Sequence, residues 1–186
     1  DMACGKMTAG LEIYQWAKNN DINTGFIATG QIGITLMGQG IPLDAIKGDH
    51  ACGAVEQIVL KNRDKSLLII EGQGSLLHPA SSASLPLIRG SCPTDMILCH
   101  RADKVTLRNL EKIKIPELKD FIDLNESLAS ACGTYGTPKV IGIALNTSKL
   151  SKSDSLNYIV NLEKQTGLPV TDAIRFGVEK IVHQLL

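Results

Sequence analysis

The feature that most constrains this chain is a recurrence of short apolar runs, each cut off by a polar or glycine-rich residue and followed by a stretch of helical periodicity. Residues 24–29, 67–70, 95–99 and 139–145 read as buried strands, and 168–170 as a short edge strand. Runs this short, without polar alternation, suit strands covered on both faces, as in a parallel sheet. Between them, 5–19 carries Leu11, Ile13, Tyr14 and Trp16 at helical spacing, and 51–62 carries Val55, Ile58 and Val59. Pro116 opens a further helix that runs to about Cys132, since proline is tolerated in a first turn. The helix over 153–165 has a serine placed to cap it and Gly167 just past its end. Residues 175–186 read as a closing helix, 30–40 as a glycine-rich loop with at most one helical turn, and 81–84 as a small polar loop. The alternation predicts the α/β class, as a three-layer fold with a mainly parallel sheet.

In such folds ligands gather beyond the carboxyl ends of the strands, so the residues that follow each apolar run are the candidates. These are Gly30-Gln31, Glu71-Gly72-Gln73-Gly74, His100-Arg101 and Asn146-Thr147. Ahead of the first helix stands DMACGKMT, residues 1–8, which resembles the end of a Walker A phosphate loop. Gly5 lets backbone approach a phosphate, Lys6 supplies a cation, and the helix start supplies free N–H donors. Cys4, Gly5, Lys6, Met7 and Thr8 are therefore candidate cofactor contacts. The usual loop has Ser or Thr directly after Lys to ligate Mg²⁺, whereas here Met7 intervenes and Thr8 follows. A P-loop also normally follows a strand. We expect that strand and an N-terminal domain to precede Asp1, with 1–186 forming the C-terminal P-loop domain of a longer protein.

Glu71 occupies the strand-end position of a Walker B carboxylate. It either serves as a general base, or joins Thr8 in holding Mg²⁺ if the metal is used, or simply faces solvent. Around it, Gln73 and Ser75 are candidate substrate contacts, as is Gln31; His78 is either an acid/base or a loop hydrogen-bonding residue. Asp49 either caps the following helix or meets a metal or substrate amine. Arg101 suits an anion through its forked guanidinium. Asn146 either reads a nucleotide base, as a cofactor contact, or begins a turn. The five cysteines have no C-x-x-C pair and read as packing residues in a reducing cytoplasm. A net charge of zero and the lack of a long apolar run predict neither nucleic-acid nor membrane partners; a small-molecule substrate and a homo-oligomer are expected.

The segments GKMT, ATGQIG, PLDAIKGD, IIEGQGSLLHP, LCHR, IALNT and TGLPVTD, in this order, resemble a bacterial and archaeal P-loop family loosely labelled NAD-dependent epimerase or dehydratase. EGQGSLLHP is the most specific of them, and the likeness spans essentially the whole chain. The epimerase label has no G-x-G-x-x-G turn behind it here. The D-glutamate N-acetyltransferase branch of that family implies acetyl transfer from acetyl-CoA to the amine of a D-amino acid. Glu71, Asp49 and His78 are then the available bases, and Arg101 the carboxylate contact. More distantly, the loop and the strand-end Glu-Gly look like dethiobiotin synthetase, which implies an ATP/Mg²⁺-dependent ligase or kinase. A nucleotide-binding module without turnover is the third reading.

Overall fold

The computed structural model describes residues 3–185. Asp1 and Met2, the first residues of the loop motif, and Leu186 lie outside that range. The chain divides into two compact units, one of residues 6–92 and one of residues 93–185 together with 3–5.

The first unit runs α1 (Lys6–Asn19), β1 (Thr24–Ile27), α2 (Gln31–Met37), a 3₁₀ turn, α3 (Gly48–Lys61), β2 (Leu67–Ile70) and α4 (Ser84–Ser91). β1 and β2 pair in parallel, Thr24 opposite Leu67 and Ile27 opposite Ile70. α1 buries Ala9, Ile13 and Ala17, one stripe at four-residue spacing. It sets Tyr14 edge-on to Phe26, with centroids 5.8 Å apart. Ile27, Ile41, Leu43, Ala51, Val55 and Leu87 form the main core cluster. Each full burial of such a side chain contributes about 1.5–3 kcal/mol.

The second unit runs β3 (Asp95–Arg101), a hairpin of β4 (Thr106–Leu107) and β5 (Leu110–Lys114), α5 (Leu118–Ser130), β6 (Lys139–Asn146), α6 (Lys152–Thr166), β7 (Val170–Thr171), α7 (Ala173–Phe176) and α8 (Glu179–Val182). β3, β6 and β7 pair in parallel in that order, which puts β7 at an edge. The core joins Val140, Ile143 and Leu145 of β6 to Ile122, Ile159, Leu162 and Val170. Ser151 caps α6 by accepting from the Asp154 N–H at 3.1 Å, and Gly167 closes it in the left-handed region.

Several expectations need correction. The glycine-rich 30–40 is largely helix α2. Periodicity did not mark it, because Ile32 and Leu36 are 66% and 63% exposed while Ile34 and Met37 are half-buried on the other side, so apolar residues fall on both faces. α3 begins at Gly48, so Asp49 lies in its first turn rather than capping it. β3 continues through His100 and Arg101, and α5 begins at Leu118, two residues after Pro116. Helix α4 and the β4–β5 hairpin fall where no element was expected. The closing helix is two short ones, broken at Gly177 (φ 76°, ψ −179°), a conformation no helix continues through. Only Cys4 among the cysteines is fully buried; Cys52, Cys92 and Cys132 are exposed, against the packing role expected of them.

Candidate functional site

In the unit of residues 6–92 the candidates meet at the carboxyl ends of β1 and β2 and the start of α1. Lys6, Met7 and Thr8 are the first three helical residues, all half-buried, and that first turn contains no acidic side chain. The N–H groups and dipole of the helix start therefore meet no acidic side chain within their own turn. The aliphatic stem of Lys6 lies against Gly72, where an added Cβ would come within 3.0 Å of Lys6 Cδ. Glycine at 72 thus leaves the passage that Lys6 occupies.

Glu71 is 6% exposed and holds the two strand ends together. Its Oε2 accepts from the backbone N–H of Thr29 at 2.8 Å and of Gly30 at 3.1 Å, and its carbonyl accepts from Thr29 Oγ1 at 2.9 Å. Gly33 of α2 faces the same oxygen: a Cβ there would sit 2.5 Å from Oε2. Oε1 accepts no hydrogen bond from the described residues, and no described buried side-chain polar atom is sealed without a partner. One carboxylate oxygen is thus structural and the other is open.

The loop that follows is folded by its own polar groups. The Ser75 N–H donates to Ser81 Oγ at 2.8 Å, the Leu77 N–H to Ser75 Oγ at 3.2 Å, and Ser84 Oγ to the Gln73 carbonyl at 3.0 Å. The Ala80 N–H donates to His78 Nδ1 at 3.2 Å, which keeps Nδ1 unprotonated and puts the ring proton on Nε2. His78 therefore organises the loop, whatever further role it has. Gln73 comes over Gly30, where a Cβ would lie 2.9 Å from Gln73 Oε1. Gln31 is exposed at the start of α2 and donates to Asp44 Oδ2 at 2.9 Å. Asp49 is exposed in α3, and no described contact ties it to Glu71 or Lys6.

In the other unit, Gly5 (φ +103°) adopts a backbone that only glycine takes readily, and a Cβ there would lie 3.7 Å from Asn146 Nδ2. Cys4 beside it is buried. Asn146 ends β6, opposite Arg101 in register, and its Oδ1 accepts from the Ser148 N–H at 3.1 Å, which begins a turn. Arg101 donates through Nε and Nη2 to the two oxygens of Asp103 at 3.0 and 2.9 Å. That fork holds the Asp103 carboxyl below the usual carboxylate range.

Sequence reasoning missed two participants and set a third behind its neighbour. Thr29, fully buried, is the hinge of the Glu71 anchor; the only sign of it was a polar residue closing an apolar run. Asp172, just past β7, receives Thr147 N–H at 2.9 Å and Thr147 Oγ1 at 2.5 Å on one oxygen, and the N–H groups of Ile174 and Arg175 on the other. His100 was passed over in favour of Arg101; it is 8% exposed, and burial pushes its pKa down to about 4.

Known proteins resemble this chain over its whole length. A family model described as the P-loop domain of DUF1611, a domain of unknown function, matches residues 1–182. Two curated proteins named D-glutamate N-acetyltransferase match all 186 residues, at 34% identity in Tritonibacter scottomollicae and 36% in a Pseudoalteromonas species. The chain covers 55% of each, so it spans about half the length of these relatives. The crystal structure of a DUF1611 family protein from Anabaena variabilis superposes with a TM-score of 0.96 at 47% identity, over 98% of this chain and 54% of that one. The parallel strands, flanking helices and loop-first helix are those of a P-loop NTPase-like α/β fold. No helix of the described residues is long and apolar enough to cross a membrane.

Proposed function

The chain belongs to the DUF1611 P-loop domain family, and from that premise we propose that it serves an acetyl-CoA-dependent N-acetyltransferase acting on a D-amino acid such as D-glutamate. The observation that carries this reading is the match of every residue of the chain to two relatives bearing that enzyme's name. The start of α1 fits a phosphorylated carrier: no acid in its first turn, Lys6 on one side and Gly5 ahead of it. Coenzyme A brings phosphates to such a cradle and an acyl thioester to the amine. Nothing in that task needs a Ser or Thr directly after Lys6, which accommodates Met7.

The chain's own residues then have three tasks. Lys6, with the backbone from Cys4 to Thr8, binds phosphate, and Asn146 lies against the Gly5 backbone. A base must take a proton from the amine; Glu71 is the best placed of Glu71, Asp49 and His78, because Oε1 is open while Oε2 holds the group rigid. A contact for the substrate carboxylate comes from Arg101 through Nη1, the arm that Asp103 does not use, with Gln31, Gln73 and Ser75 as further polar contacts.

One observation favours a second reading. An open Glu71 oxygen at a strand end, with Lys6 across Gly72, also suits an ATP·Mg²⁺ ligase or kinase, with Thr8 and Glu71 Oε1 as metal contacts. Calorimetric titration of the full-length protein separates the two. Binding of acetyl-CoA and formation of N-acetyl-D-glutamate are expected. Tight ATP·Mg²⁺ binding with no acetyl-CoA signal would overturn the acetyltransferase reading.

A further inference from the structure

Gly30 precedes α2 with φ −110° and ψ 157°, an extended backbone that any residue adopts. Its conformation does not call for glycine, and a helix cap ordinarily favours Ser, Thr, Asp or Asn. What a side chain would meet there accounts for the choice. A Cβ on Gly30 would lie 2.9 Å from Gln73 Oε1 and 3.5 Å from Glu71 Oε1. Two side-chain oxygens thus converge on the bare face of Gly30. Glu71 is nine-tenths buried, and both backbone donors that reach its carboxylate go to Oε2. Neither Glu71 Oε1 nor Gln73 Oε1 accepts a hydrogen bond from the described residues. No described buried side-chain oxygen is sealed without a partner, so both keep an opening to solvent.

The chemistry of the ligand follows from what the two groups offer. A carboxylate oxygen and an amide oxygen are both acceptors, so a group held between them must bring hydrogen-bond donors. A phosphate or carboxylate there would face Glu71 with no donor from either oxygen. A primary ammonium brings three N–H donors and the opposite charge on a single atom. We infer that the face of Gly30 between Glu71 Oε1 and Gln73 Oε1 is the seat of the substrate's primary ammonium group, and that the missing Cβ at position 30 is what admits it. The inference deepens the acetyltransferase reading and rests on it for the choice of an amino acid. One N–H donates to each oxygen. The proton bound for the base passes from the nitrogen to Glu71 Oε1, and the nitrogen keeps the electron pair that attacks the thioester carbon. Gln73 takes no proton and fixes where the nitrogen sits.

Calorimetry and kinetics on the full-length protein test the seat. With coenzyme A present, D-glutamate is expected to bind at least tenfold more tightly than glutarate, which lacks the amine. Q73M, of similar length but without the amide oxygen, is expected to weaken D-glutamate at least tenfold and to leave glutarate unchanged. G30A, whose backbone alanine adopts freely, is expected to raise KM for the amino acid at least tenfold with KM for acetyl-CoA unchanged. Unchanged D-glutamate affinity in folded Q73M overturns the seat while leaving the acetyltransferase reading standing. So does an equal weakening of D-glutamate and glutarate, because the contact is then not with the amine. Mg²⁺ binding that Q73M abolishes and D-glutamate does not compete with overturns it as well, giving the two oxygens to a metal. D-glutamate binding that depends on Gln73, without acetylated product, keeps the seat and removes the acetyltransferase reading. Absence of both binding and product removes both. Q73M decides the matter even if G30A does not fold, since the Gln73 side chain makes no hydrogen bond with the described residues.

Discussion

Glu71 and Asp172 answer the same structural problem in different ways. Each is a nearly fully buried acid just past a parallel strand, and each binds the end of the neighbouring strand: Glu71 holds Thr29 after β1, and Asp172 holds Thr147 after β6. Asp172 uses both oxygens, two donors on each. Glu71 uses one oxygen for two backbone donors and leaves the other open. A saturated carboxylate has only a structural role left to play. A half-used one is held rigid and keeps a second oxygen, and it is the one flanked by glycines and a lysine.

That contrast can be broken experimentally, beginning with the largest effect. Asp172→Ala strands buried donors and is expected to cost about 3–4 kcal/mol in urea unfolding. A loss under 1 kcal/mol would mean that water replaces the clamp. His100 offers a pH test of a third buried polar group. Its folded pKa of about 4 lies below the ordinary 6.5, so the unfolded chain takes up the proton first. Its stabilising contribution is complete above 6.5 and falls by about 3 kcal/mol as pH drops toward 4. H100Q should lack that part of the pH dependence; an identical stability–pH curve would show the ring is not held neutral.

Gly33→Ala presses a methyl onto Glu71 Oε2 while leaving the acid itself in the sequence, and should cost about 1–3 kcal/mol. Unchanged stability would show that α2 yields freely there. Glu71→Gln keeps an acceptor for Thr29 and Gly30, so about 1–2 kcal/mol of stability is expected to go. Acetyl transfer should fall about a hundredfold or more. If Asp172→Asn lowers turnover as much as Glu71→Gln does at equal stability, the distinction between the two acids fails. Last, Lys6→Ala should weaken the phosphorylated ligand by more than about tenfold, or 1.4 kcal/mol, in calorimetry.

Much of this was legible in the sequence. The runs at 67–70 and 139–145 became β2 and β6 almost residue for residue, because a short apolar segment stopped by a polar one leaves few alternatives. α2 was not legible, because its apolar residues lie on both sides, Ile32 and Leu36 outward and Ile34 and Met37 half-buried, so they mark no single face, and its fit depends on Gly33 passing Glu71. The hairpin of β4 and β5 was missed for a related reason. Its strands are short and mostly exposed, so no buried run announces them.

The sequence by itself determined which residues stand at or near the carboxyl ends of the strands: Glu71 in one unit, with Lys6 at a helix start, and Arg101 and Asn146 in the other. Local patterns of apolar and polar residues are enough for that. Only the tertiary structure decided what each polar group has left to offer. The donors that occupy Glu71 come from residues 41 and 42 positions away, and the Thr147 groups on Asp172 from 25. Strand pairing creates those bonds, and no local pattern encodes them. Whether an acid is saturated, half-used or open is a property of its neighbours in space.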